Sequence, residues 1–341
     1  MDKLPSIFAS YKPHIEKELK DMLESRKLPL YGMVRYHMGW EDKDGNEIEG
    51  SGGKYLRATL CLLTSESLSG SFKKALPLAA AIELVHNFSL VHDDIQDDDS
   101  QRRHKPTVWS IWGKPQAINA GSAMRVMASL SVSRLSGFGI PNQNQLAALK
   151  ILDENCLKMI EGQYLDIDYE KKKNITTAQY LGMVERKTAA LIQAAMLMGA
   201  VIHTGKKIPE AFGELGFNLG LAFQIKDDVL GIWGNDKKTG KPKASDIRKK
   251  KKSFPVVFCL EHLSRKTREK FLAIYNKEEI NGKDIESVLK FLKGAEARKY
   301  SEDMALKYYQ KALSCIERLP VDQAKKTHFI DISQFLVKRE F

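Results

Sequence analysis

Between Pro141 and Pro209 the chain runs for 67 residues without a proline. Proline fixes φ, removes a backbone donor and breaks helix interiors, so this stretch suits long helices better than a sheet punctuated by tight turns. The residues inside it agree. "NQNQLAALKILDENCLKMIEGQYLDIDYE" and "TTAQYLGMVERKTAALIQAAMLMGAVI" each read as one long helix with apolar residues at helical spacing. The same period recurs outside it, at Ile7, Phe8, Ile15, Leu19 and Leu23, in "KKALPLAAAIELVHNFSLVHDD", in "IPEAFGELGFNLGLAFQIKDDVLGIWG" and in "SEDMALKYYQKALSCIERL". No strand series with regular turns is visible, and no proline- or serine-rich linker divides the chain. The expected fold is an all-α bundle forming a single domain over residues 1–341.

Four cysteines, Cys61, Cys156, Cys259 and Cys315, lie far apart with no CxxC spacing. They read as buried thiols of a reducing cytoplasm. The first twenty residues are charged throughout and hold no apolar signal core. The most apolar run, Ala189 to Ile202, is shorter than a membrane span and is interrupted by Gln193. A cytoplasmic protein without stable membrane insertion is expected. The net charge of +11 raises the question of nucleic acid, because lysines cluster in "EKKKN" and "RKKKK". Such runs are solvated helix ends and loops, or a seat for a small polyanion. No aromatic-interleaved basic motif and no zinc-finger spacing accompanies them, so nucleic acid is not an expected partner.

Two acidic motifs end apolar helices. In "SLVHDDIQDDDS", Asp93 and Asp97 are four apart on one helical face, with Asp94 one position round. Aspartate is unfavourable at the carboxyl end of a helix dipole, so a solvated helix end is an uneasy account of this placement. Convergence on Mg2+ is the alternative, since that ion takes carboxylate oxygens and completes its shell with water and phosphate. In "FQIKDDVLGIWGND", Gln224 precedes Asp227 and Asp228 by three and four residues. Two such clusters facing each other across a bundle would be relieved of their repulsion by metal ions and a polyphosphate.

The basic residues complement them. "GSGGKYLR" places Lys54 and Arg57 on the opening turn of a helix, where free N–H groups favour phosphate, although an ordinary turn has the same look. Arg102 and Arg103 follow the first motif and suit bidentate phosphate contacts. His86 stands seven before Asp93, as either a ligand-facing or a satisfied core histidine. Lys187 and Thr188 interrupt a long apolar helix, and Gln163 with Asp166 forms a polar i, i+3 pair on another.

In this order, "GGKYLR", "HNFSLVHDDIQD" with "RR", "GQYLD", "KT" and "FQIKDD…TGK…SDIRKKKKS" resemble the trans-isoprenyl diphosphate synthases of the polyprenyl synthetase family, and geranylgeranyl diphosphate synthases in particular. The likeness runs from about Gly52 to Val257. It implies an isoprenoid synthase-type helical bundle around a central cavity, usually a homodimer. It also implies isopentenyl diphosphate and allylic diphosphates as substrates. Carried over by position, Asp93, Asp94, Asp97, Asp227 and Asp228 would hold three Mg2+ ions, with Mn2+ as an alternative. Arg102, Lys187, Lys241 and Lys251 would contact the allylic diphosphate. Lys54, Arg57, His86 and Arg103 would hold isopentenyl diphosphate, and Thr188 and Gln224 would stabilise the allylic cation through their oxygens.

Ser89 and Phe88 stand four and five residues before Asp93, roughly 6 and 7.5 Å down the axis at ~1.5 Å per residue. By the same resemblance these positions set the cavity floor. Phenylalanine at the lower one implies a medium-chain product, geranylgeranyl diphosphate, unless Phe88 is plain core. Two positions depart from the pattern. Gly231 stands where many members carry a third aspartate, with Asn235 and Asp236 one turn on as substitutes through water. Ser122 stands where relatives often have aspartate, a tuning or packing change. A class I terpene cyclase would lack the isopentenyl diphosphate residues, and a non-catalytic regulatory subunit would have lost aspartates from the first motif. Neither description fits this chain.

Overall fold

The computed structural model describes residues 4–48, 53–172, 174–205, 207–234 and 244–338. Its architecture is all-α. In order come α1 (Ser6–Leu23), α2 (Pro29–Met38), α3 (Leu56–Ser69), α4 (Leu76–Gln96), α5 (Val108–Trp112), α6 (Lys114–Ser133), α7 (Asn142–Lys171), α8 (Thr177–Val184), α9 (Ala190–Thr204) and α10 (Glu210–Trp233). Six further helices come after these among the described residues, the longest being Ala297–Glu317 and Gln323–Lys338. The proline-free stretch is filled by α7, α8 and α9, as its composition requires.

The packing partners are α4 with α6, α3 with α9, α7 with α9, and α10 with the helix Ala297–Glu317. The apolar run leading into the first acidic motif is deeply buried. Leu78 to Ile82 have no measurable exposure, and Val85 has none either. By length and composition the segment Lys73–Gln96 could cross a membrane, a property expected of no segment from sequence. Here 72% of its most apolar window is buried inside the protein, so it serves as the central core helix.

The long helix read across "TTAQYLGMVERKTAALIQAAMLMGAVI" is continuous but not uniform. It starts at a capping box between Thr176 and Gln179, then widens into a π turn over Glu185–Ala189 before α9 resumes. A π turn inserts one residue into the ladder and rotates the helix beyond it. Neighbouring backbones grip it on two sides. A Cβ on Gly162 of α7 would lie 2.6 Å from the Cα of Lys187, and one on Gly220 of α10 would lie 2.5 Å from the Cα of Ala189. Glycine at these two places is what lets three helices approach at the point where Lys187 and Thr188 project.

Extended structure is confined, among the described residues, to a two-residue hairpin after the first acidic motif and one isolated bridge. Gln101 pairs with Pro106 and Arg102 with Lys105. Arg103 and His104 form its turn with φ of 52° and 62°, the left-handed pair a tight two-residue hairpin demands. The Asp99 carbonyl pins the loop by accepting from the Thr107 hydroxyl (2.9 Å) and the Trp109 indole (2.8 Å).

Candidate active site

Asp93 and Asp94 occupy the last turn of α4, and Asp97 is its C-cap. Asp94 is 1% exposed, and its Oδ1 accepts from both Nε (2.8 Å) and Nη2 (2.7 Å) of Arg102. The hairpin is what folds Arg102 back onto the helix end. Burial pushes the Asp94 carboxyl up to about 6 despite Arg102, because desolvation disfavours the charged form. Asp93 is also raised to about 6 by burial, opposed by Lys187 and reinforced by Asp97, and Asp97 is raised for the same leading reason.

Across the site, α7 supplies Asp166, whose Oδ2 accepts from Lys187 Nζ at 2.5 Å. Asp166 lies within electrostatic range of Asp93 and Asp97 on one side and of Lys251 on the other. Gln163, one turn earlier, donates to Gln96 at the end of α4 (3.0 Å). The polar pair on α7 therefore sits between the two acidic motifs.

Asp228 behaves differently from the ligand expected at its position. It is 1% exposed, and both oxygens are already engaged. Oδ2 accepts from the Tyr180 hydroxyl and from the Phe254 N–H (3.0 Å), while Oδ1 accepts from Gln224 Nε2 (3.0 Å) with Lys251 Nζ at 3.8 Å. A carboxylate held this completely is an organising group. Because it can only accept, it forces the amide of Gln224 to point its NH2 inward and its carbonyl outward. That carbonyl accepts from Thr188 Oγ1 at 3.0 Å, so a hydrogen-bonded chain runs Thr188, Gln224, Asp228, with Lys251 ion-paired at its end. Burial raises the Asp228 carboxyl to about 6, Lys251 opposes this, and the charge of Asp246 adds to it. Burial pulls Lys251 down, but the carboxylates of Asp228 and Asp246 outweigh it and leave the ammonium more basic than usual.

The lysines of the run, though partly solvated, each have a separate task. Lys249 pairs with Asp99 of the first motif's loop (2.6 Å). Lys250 donates to the carbonyls of Lys277 and Glu278, just past the helix Arg265–Tyr275. Lys251 reaches Asp228, and Lys252 donates to the carbonyls of Tyr169 (2.8 Å), Glu170 (2.9 Å) and Lys172, closing the carboxyl end of α7. Lys241, Asn235 and Asp236 lie outside the described residues.

A second group gathers basic side chains. Arg57 is the second residue of α3, and Lys54 precedes that helix rather than opening it, with Nζ 5.0 Å from the ring centroid of Phe335 in the last helix. Gly53 leaves room for Arg103, whose Nη2 would sit 3.3 Å from a Cβ there. A buried acid among them is Glu83, 3% exposed, which accepts from the Ala58 N–H (3.2 Å) and whose carboxyl is raised by burial. Burial lowers Arg57 and Arg103 below the usual arginine range, and in Arg103 the neighbouring Arg102 adds to the effect. Arg57 Nε is buried without a partner. His86 is held neutral by burial and then by Arg57, Arg103 and Arg102.

Next to this group, Tyr36, His37, Arg102, Arg103 and Lys105 line a small pocket with Asp94. His37 is depressed to about 3 by burial and then by the two arginines, and its Nε2 is buried and unpartnered. No local pattern singles out His37, which sequence reasoning missed. Glu83 was missed too, although a lone acid inside the apolar "AAAIELVHN" is a usable signal.

Among the described residues no three Asp, Glu, His or Cys side chains converge as a closed metal cage. A divalent cation nevertheless fits the first motif. Asp94 Oδ2 is a buried carboxylate oxygen with no partner, and Asp93 and Asp97 stay partly accessible beside it. All-carboxylate donors suit a hard ion such as Mg2+. Of the two chain-length positions, Phe88 is 6% exposed with its ring edge-on to His92 (5.4 Å, 89°), and the Ser89 hydroxyl donates to the His86 carbonyl at 2.8 Å.

A family model described as polyprenyl synthetase matches residues 43–292. The (2E,6E)-farnesyl diphosphate synthase of Mycobacterium tuberculosis is 33% identical over 330 residues, covering 95% of this chain and 89% of that protein. The geranylgeranyl diphosphate synthase of the same organism is 34% identical over 319 residues, covering 93% of this chain and 89% of that protein. The crystal structure of a polyprenyl synthetase from Streptomyces coelicolor superposes with a TM-score of 0.91 at 30% identity, covering 98% of this chain and all of that one.

Proposed function

The chain belongs to the polyprenyl synthetase family and is a trans-prenyl diphosphate synthase of short to medium product length; on that premise we propose geranylgeranyl diphosphate as its product, and we assign its site residues accordingly. The observation that carries the assignment of the site is the pairing of opposites within one cleft. Carboxylates on α4, α7 and α10 pair with Arg102, Lys187 and Lys251, while Arg57 and Arg103 lie beside the buried Glu83 with His86 close to both.

Asp93, Asp94, Asp97 and Asp227 would hold Mg2+, three ions with Mn2+ as an alternative, and Asp228 acts by orienting its neighbours. When bound, these ions neutralise the leaving diphosphate of the allylic substrate. Arg102 and Lys187 exchange their present carboxylates for diphosphate oxygens, which stabilises charge developing on the departing group. Thr188 Oγ1 and the Gln224 carbonyl present lone pairs to the allylic cation, in the orientation Asp228 imposes. The basic group around Arg57 holds isopentenyl diphosphate, whose alkene attacks the cation, and the proton then lost passes to the released diphosphate. Apolar walls keep water from the cation. Below Asp93, Ser89 leaves space for the growing chain and the braced ring of Phe88 ends it.

The chain is read as one domain, since α10 contributes Leu219 to the main apolar cluster, Ile232 to the second and Leu221 to the third. A homodimer is supported by α6 and α7. Ile118, Val126 and Leu130 on the first and Leu157, Ile160 and Tyr164 on the second are large apolar residues between 46% and 69% exposed. Ser122 lies in the same i, i+4 row as Ile118 and Val126, where an uncharged residue fits burial against a second copy.

The test is incubation with Mg2+, isopentenyl diphosphate and, separately, the five-, ten- and fifteen-carbon allylic diphosphates. A twenty-carbon alcohol after dephosphorylation is expected, absent with Asp93→Ala. Longer or shorter alcohols would keep the reaction and remove the Phe88 floor. A hydrocarbon from an allylic substrate alone would mean a terpene cyclase.

A further inference from the structure

Helix α3 starts without the usual cap. Its N-cap is Tyr55, in the left-handed region (φ 52°, ψ 39°), and the side chain there takes no hydrogen bond from the opening turn. The first N–H groups of a helix have no partner within it, and that of the third helical residue is one an N-cap side chain ordinarily serves. In α3 the third residue is Ala58, and its N–H is served from another helix: Glu83 Oε1 of α4 accepts it at 3.2 Å. Glu83 is 3% exposed, so this bond is sheltered from water. A carboxylate suits the place, because the positive end of the helix dipole attracts it. Tyr55 is fixed from a third helix, its hydroxyl donating to Glu16 Oε1 of α1 at 3.1 Å. The turn held in this way carries Arg57, with Lys54 just before it.

A carboxylate beside a seat for a diphosphate repels the ligand, so charge alone gives no reason for Glu83 to stand there. Resting on the assignment of isopentenyl diphosphate to this basic group, we propose that Glu83 is a positioning residue for that substrate. By capping α3 from α4 it fixes the opening turn, and with it the approach of Arg57 to the diphosphate. Glu83 touches no substrate atom, and what matters is the reach of its oxygen rather than its charge. Arg57 Nε, buried without a partner, stays free for the ligand while the turn beneath it is held.

Two conservative variants separate reach from charge. Glu83→Gln keeps an oxygen at the same distance and removes the charge. Glu83→Asp keeps the charge and withdraws the oxygen by one carbon–carbon bond, roughly 1.5 Å. The experiment is steady-state kinetics of the full-length protein with Mg2+, in which the KM for isopentenyl diphosphate and the KM for the allylic diphosphate it turns over fastest are measured separately. Glu83→Asp should raise the first by about 10-fold, the worth of one displaced charge-assisted contact, and leave the second within about twofold of the parent's. Glu83→Gln should leave the first at or below the parent's value, because the cap persists and a repelling charge is gone. An unchanged or lower value in Glu83→Asp, or a rise in Glu83→Gln as large as in Glu83→Asp, would overturn the proposal. A parallel rise in both constants would make Glu83 a support of the whole fold, which overturns it as well. Should Glu83→Asp not fold, Glu83→Gln decides alone, a 10-fold rise counting against the cap and an unchanged or lower KM for it. Arg57→Met serves as the reference. If it too leaves the KM for isopentenyl diphosphate unchanged, the assignment of that substrate to the basic group has failed.

Discussion

The two halves of the cleft handle the same problem, buried charge, in opposite ways. On the aspartate side the described cations expected to meet a diphosphate are already engaged, Arg102 with Asp94, Lys187 with Asp166 and Lys251 with Asp228. On the basic side Arg57 and Arg103 face one buried glutamate with His86 beside the arginines, and the charged forms of all three are disfavoured. In the first half these cations are already paired and must exchange partners to bind. The second is short of anions and gains on binding without losing a pair. An acid–base cleft is thus a stabilising network on one side and an open anion seat on the other, and substitutions should separate the two.

The largest separation is expected from Asp93→Ala. Product formation should fall by about a thousandfold or more, since a metal-assisted step loses several kcal/mol without its ligand. The metal-free melting temperature should hold or rise, because a desolvated carboxylate is removed. Activity retained within tenfold would place the cation elsewhere. Asp228→Ala should do the reverse first, costing about 3–5 kcal/mol of stability by stranding Tyr180, Gln224 and Lys251, measurable by urea unfolding. Equal stability would mean the network is ornamental.

Arg57→Met should raise the KM for isopentenyl diphosphate by about 10- to 100-fold, the worth of a charge-assisted contact, with the allylic KM little changed and no loss of melting temperature. A parallel rise in both constants would merge the two halves into one site. Gly162→Ala should cost about 1–3 kcal/mol and lower turnover, as α7 is pushed off the π turn that aims Lys187. An unchanged unfolding curve would mean the turn yields easily.

The smallest effect is in pH. Between about pH 4 and 6 the folded protein keeps a proton on Asp93 that the unfolded chain has released, so metal-free stability falls as pH rises through that window. Asp93→Asn removes this slope. Its melting temperature should exceed the parent's by more at pH 7 than at pH 5, and a constant difference would deny the desolvation of Asp93.

Much of this was legible in the sequence. Proline-free periodic segments became α7 to α9, and the two aspartate motifs do end α4 and α10 beside one cleft. Three features were not. The π turn is set by Gly162 and Gly220 pressing from other helices, and no local pattern in "VERKTAA" announces it. The lysine run looks solvated when read alone, yet Lys252 closes the end of α7 and Lys250 binds carbonyls just past another helix, both far away in sequence. Asp227 and Asp228 are adjacent and chemically identical, and burial separates them: Asp227 stays partly exposed, while α10 turns Asp228 into a set of four donors.

The sequence by itself determined which groups carry charge, on which helices they ride and at what spacing, because periodicity and residue chemistry are local properties. Tertiary structure decided who neutralises whom. Pairing energy in a buried site depends on distances of a few ångströms between elements that meet only after folding, and on how completely each charge is stripped of water. Glu83 shows the difference. Along the chain it is a lone acid in an apolar helix; in the folded protein it is the cap of α3.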